Sequence, residues 1–204
     1  MRPSIINIDV ADANLTGFAS NVTGATFTIT TTATTDGLAH QVSFRNDSAT
    51  DHSAKTIDLV GTDANGVAQT ETMAAPGTSA TVESTKYFKT LTSATPSATI
   101  GGDTFDIGWV DEVASVVYPL DWPRASGATI SVDVTGTIDF TVQETFVNVL
   151  AGTAPIWTSI SALAAKTADT VSSSTVGATA IRIIVNSYSS GAELQMYTVQ
   201  PRYN

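Results

Sequence analysis

The side chains that do most enzyme chemistry are few and dispersed in this sequence. It has two histidines, no cysteine, and 19 acidic against 9 basic residues in 204, for a net charge of −10. Asp47, Asp51 and His52 form the densest run of metal-ligand types, yet no second ligand group accompanies them, and a solvated loop accounts for their composition. Thr62–Gly66 (TDANG) has the flavour of a calcium loop, but carboxylates at alternating positions and the closing glutamate are missing. Asp63 and Asn65 read better as turn formers, whose short side chains bond to nearby backbone. The pairs Asp103/Asp106 and Asp111/Glu112 are of a kind common in β-proteins and do not define a glycosidase dyad.

A Ser-His-Asp triad is assembled in space, so sequence alone neither gives nor denies one. His40, however, falls on the core-facing register of a strand, and His52 falls in a loop. No G-x-S-x-G elbow, Walker loop or dinucleotide fingerprint occurs. The expectation is a protein that is not an enzyme, with no catalytic, cofactor-binding or metal-ligating residue and no cofactor. Trp109, Trp122 and Trp157 suit a sugar-binding platform, or equally the filling of a sandwich core or an interface. Arg182, on an otherwise apolar strand, reads as an inward charge guarding an edge or as the ion-pair partner of an acid such as Glu144.

Composition excludes more than it identifies. Nine scattered basic residues cannot line a phosphate backbone, so nucleic acid is not an expected partner. No apolar run approaches ~18 residues, so no membrane span is expected. The opening MRPSIINIDVADANL lacks the apolar core of a signal peptide, and the sequons at Asn14, Asn21 and Asn46 then read as chance matches. Charged residues make up 14%, against about 25% in typical soluble domains. A surface so weakly self-repelling fits either a Thr-rich β-protein or one partly covered in an assembly.

The elements that must position these residues are strands. Ile5, Ile6, Ile8 and Val10 suggest an edge strand or a docking arm without a local partner. Phe27 and Ile29 give a strand signal, Asp36-Gly37 a turn, and His40, Val42 and Phe44 share one strand face. KTIDLVGTDANGVAQTETM, 55–73, reads as a hairpin turning at Asn65-Gly66. Residues 84–100 give one or two strands, and Gly101-Gly102 turns into DTFDIGWV. Ile130 to Val134 turn at Gly136 and return through Ile138, Phe140 and Val142. Trp157 to Ala165 has the spacing for two turns of helix. Residues 178–200 read as a closing hairpin, with Ile181, Ile183 and Leu194 buried and Ser189 to Gly191 at its turn.

Two stretches go further. KTIDLVGTDANGVAQTETM followed by ESTKYFKTLTSAT, and YPLDW with ATISVDVTGTIDFTVQETF and TAIRIIVNSYSSGAELQMYTVQ, resemble segments recurring in virion structural proteins of tailed bacteriophages. Together they cover most of residues 55–200. The chain departs from that pattern at FVNVLAGTAP, where an acidic turn is usual, so no metal or salt-bridge role is carried over to that turn. The resemblance implies a component of the virion, on the capsid exterior or at the neck or tail. The expected fold is all-β: two β-sandwich, jelly-roll-like domains, 1–112 with an N-terminal arm and 113–204, with at most one short helix. The implied function is capsid decoration, a cement protein bridging major capsid subunits. The expected partners are the major capsid protein or other virion proteins and copies of itself, as a homotrimer. A neck or tail accessory protein and a carbohydrate-binding adhesin module are the alternatives.

Overall fold

The computed structural model describes residues 4–121, 127–151 and 155–200. It is built of short strands: β1 Ser4–Asp9, β2 Asn14–Val22, β3 Ala39–Asn46, β4 Thr56–Thr62, β5 Ala68–Ala74, β6 Thr81–Phe88, β7 Thr90–Pro96 and β8 Phe105–Ala114. These are followed by β9 Tyr118–Pro119, β10 Thr129–Thr135, β11 Ile138–Thr145, β12 Thr158–Ser159, β13 Thr170–Ser173, β14 Ala180–Tyr188 and β15 Glu193–Val199. Among the described residues, helix is limited to single 3-10 turns at Val149–Ala151 and Ser161–Leu163. The helix expected over 157–165 shrinks to the second of these. Thr158 and Ser159 pair with Glu144 and Gln143 instead, and what remains is too short to nucleate an α-helix.

The chain divides into two compact units, residues 11–113 and residues 1–10 together with 114–204. The N-terminal arm therefore belongs to the C-terminal unit and not to a 1–112 domain. β1 has a partner after all: it pairs along its whole length with β15, from Ser4↔Thr198 to Asp9↔Glu193. Ile8 and Val10 are buried. A partner at the far end of the chain leaves no local trace in sequence.

In the C-terminal unit one sheet runs β1-β15-β10-β13; in the other β12, β11 and β14 are neighbours in that order, with β9 pairing β14. Counted along this unit alone, its eight strands lie in the orders first-eighth-third-sixth and second-seventh-fourth-fifth. That is the strand order of a jelly roll. The hairpin expected over 178–200 is not formed, because β14 and β15 sit in different sheets. β10 and β11 part company in the same way across Gly136. The two crossings lie side by side: Ser189 N donates to Thr137 O at 2.8 Å, and a Cβ on Gly136 (φ 83°) would stand 3.0 Å from that of Ala192. Alternation defines the two faces of each strand but not its neighbour, and a tight turn serves a sandwich corner as well as a hairpin. The inward residues Ile130, Val132, Leu194 and Met196 of one sheet, and Phe140, Val142, Ile181 and Ile183 of the other, are all buried.

In the unit 11–113, β8, β3 and β6 are neighbours in that order, with β2 pairing β8, and β5-β4-β7 form a three-stranded sheet. The hairpin over 55–73 forms as expected, in register from Thr56↔Ala74 to Thr62↔Ala68. Phe27 makes only an isolated bridge to Ala94. Phe18, Phe27, Phe44, Phe88, Phe105 and Trp109 are buried in one core. Side chains close the gap between β5 and β6: Glu71 accepts from Thr85 N and Lys86 N, and Lys86 Nζ donates to Thr70 O. β2 and β8 approach so closely that both need glycine. A Cβ on Gly108 would lie 1.9 Å from Asn14 O, and one on Gly17 would enter the Trp109 ring.

Candidate functional site

The geometry separates the acidic and histidine residues that sequence grouped, and joins others that it did not. Asp47 pairs with Arg45, whose Nε lies 2.9 Å from Asp47 Oδ1. Arg45 Nη2 also donates to Asp106 Oδ2 at 2.8 Å. Asp106 Oδ1 in turn accepts from Asn21 N, so Asp106 serves the fold and forms no dyad with Asp103. Asp51 Oδ1 accepts from Ser53 N, a bond that holds its pKa below the ordinary carboxylate value. Asp63 Oδ1 accepts from Asn65 N and Val67 N, which closes the β4–β5 turn.

His52 is the centre of a different cluster. Lys55 Nζ donates to its Nδ1 at 2.8 Å and to Thr99 O at 2.8 Å, and His52 Nε2 donates to Asp103 Oδ2 at 2.9 Å. This fixes one tautomer, since an ammonium can only donate and a carboxylate can only accept. Asp103 is held low by its bond from Thr50 first; burial opposes this and His52 adds to it. The imidazole is buried, with its edge on the Phe105 ring at 5.4 Å. Ammonium, imidazole and carboxylate stand in the order of a proton relay, but each is spent on tying the loop before β4 to the loop before β8.

His40 lies in the core, as its register implied. Its Nδ1 stands 2.7 Å from Val110 O and its Nε2 2.8 Å from Asp36 Oδ2. Asp36 also accepts from Ala11 N and Leu38 N. Burial works to raise the Asp36 pKa, but the bonds from His40, Ala11 and Leu38 prevail and lower it to about 2. Asp111 accepts from Ala13 N, and Glu112 is pushed up by burial and then by Glu83.

Among the described residues the aromatic and basic candidates are likewise occupied. Trp109 is buried and donates from Nε1 to Asp12 O. Trp157 is covered by the Arg182 guanidinium, 4.5 Å from the ring centre, and Arg182 Nε donates to Gln143 Oε1. Trp122 lies outside the described residues. Glu144 is buried on the other face and accepts from Thr175 N and its hydroxyl. Asn46, in one of the sequons, is buried and donates to Thr50 O and Gly77 O. Among the described residues no group of three or more histidine and acidic side chains is placed to hold a metal ion. The spacing of His52 with Lys55, and of Asp36 with His40, was the available signal for the two clusters that do form. No protein-family model matches the chain, and neither does any curated protein or solved structure.

Proposed function

We propose that this chain is a structural component of a tailed-bacteriophage virion: a capsid decoration protein that, as a homotrimer, bridges and stabilises major capsid subunits. The observation that carries the reading is the jelly-roll strand order of the C-terminal unit, in the very strands whose sequences resemble phage virion proteins. Jelly rolls serve viral capsids and also lectins and cupins, so fold is an analogy and the residues must choose. Lectin-type stacking finds Trp109 buried and the ring of Trp157 taken by Arg182. The histidines are each spent on structural bonds. A bridging role asks only for surface, repeated many times around a shell, so that weak contacts act together.

The test is to mix the purified protein with shells assembled without it and measure co-sedimentation and copy number. Hundreds of copies, with greater shell resistance to heat, are expected. Rings of six or twelve copies confined to one vertex would favour the neck or tail alternative. No binding would overturn both.

A further inference from the structure

We infer that the outward face of the sheet β1-β15-β10-β13 is a docking surface for a protein partner that presents lysine or arginine beside apolar side chains. The inference deepens the structural-component reading and rests on it for the partner's place in a shell. Register puts the outward residues in rows. Ile5, Tyr197, Ser131 and Val171 form one row across all four strands. Ile5 is 53% exposed and Val171 66%, with Val199 41% exposed in the next row. At the other end Asp9 stands directly opposite Glu193, and Asp133 lies one row in, all three exposed.

Like charges directly opposite each other destabilise a sheet. Their carboxylates make no hydrogen bond or ion pair among the described residues, and the four strands contain no lysine or arginine. An arrangement that costs stability in the free chain is relieved by a partner that supplies cations. Charge complementarity therefore selects the occupant. A second copy brings the same strands: in one orientation acids meet acids, and in the other they meet uncharged rows, so the carboxylates stay unpaired either way. Nucleic acid and anionic lipid are repelled. A protein surface with basic residues flanking an apolar strip satisfies both ends of the face.

The test uses the ¹⁵N-labelled full chain and two capped peptides, one alternating lysine and valine, the other glutamate and valine. The basic peptide is expected to shift amide signals of β1, β15, β10 and β13, and the acidic peptide to shift none. The triple variant Asp9→Asn/Asp133→Asn/Glu193→Gln, and separately Val171→Ser, should each bind the basic peptide at least about tenfold more weakly, with spectra showing both variants folded. Shifts elsewhere, equal binding by the variants, or self-association abolished by Val171→Ser would overturn the inference. Shell binding separates it from the reading beneath it. If wild type and variants bind shells equally, the face is refuted and the structural role stands. If the peptide maps to this face and wild type ignores shells, the structural role fails and the face stands.

Discussion

Replacing Gly108 by alanine adds one carbon at one of the two tightest glycine approaches in the unit 11–113. The new Cβ would lie 1.9 Å from Asn14 O, 2.4 Å from Leu15 C and 2.6 Å from Leu15 Cα. All three atoms are backbone, so no side chain can swing aside. Ordinary contact begins near 3.4 Å, which means β2 must retreat by more than an ångström. That retreat strains the bonds anchoring this stretch to β8, from Trp109 Nε1 to Asp12 O and from Ala13 N to Asp111. Overpacking of this kind costs about 1–3 kcal/mol, and loosening one anchoring bond adds about 1 kcal/mol. The expected loss is therefore about 2–4 kcal/mol. With a urea m-value of roughly 1–3 kcal/mol/M, the midpoint falls by about 1 M or more. Intrinsic fluorescence reports it, because Trp109 lies in the affected core. Gly102→Ala is the control, since nothing lies within 4 Å of a Cβ there and its φ is not positive. An unchanged Gly108→Ala midpoint beside an unchanged control would refute the close crossing of β2 and β8.

Ile183→Ala, at a fully buried position of β14, should cost about 2–5 kcal/mol; an unaltered melting temperature would mean the inward register of β14 is wrong. Asp36 has a folded pKa lowered from 3.8 to about 2, so its contribution is present above pH 4 and is lost as pH falls from 4 towards 2. Asp36→Asn should remove about 2 kcal/mol of acid-sensitive stability, read as urea midpoints that converge with wild type at pH 2; a constant difference between them at all pH values would contradict this. Deleting residues 1–10 removes β1 from its sheet and leaves the β15 edge bare, so hydrogen exchange should accelerate in β15 and β10 while β3 and β4 keep their protection. Equal protection throughout would show that β1 is dispensable to its unit.

Strand positions were legible because a half-buried strand writes its two faces into the sequence, as Ile57 and Leu59 do against Thr56 and Asp58. The β4–β5 hairpin was legible as well, since Asp63 and Asn65-Gly66 encode a local turn. What sequence could not supply was anything that depends on a second, distant strand. Gly136 and Gly191 announced turns, but nothing local says whether a turn returns within a sheet or crosses to another. The partner of β1 and the partner of His52 fail for the same reason, being Glu193–Thr198 and Asp103. Candidate chemistry judged by adjacency, as for Asp47, Asp51 and His52, therefore dispersed, and the clusters that form bring together different loops.

Because residues 11–113 are inserted between β1 and the rest of its own jelly roll, the order of synthesis and the order of completion differ. β1 is synthesised before the insert, yet its partner is not made until residue 193. At roughly 5–20 residues per second, that wait is on the order of 10–40 s. The inserted unit has all its strands by residue 114 and can fold during that interval. The C-terminal unit can close only when β15 slots between β1 and β10. A nascent chain halted between the end of the insert and β15 carries a finished insert and an unpaired, isoleucine-rich SIINID strand, an open edge exposed to aggregation.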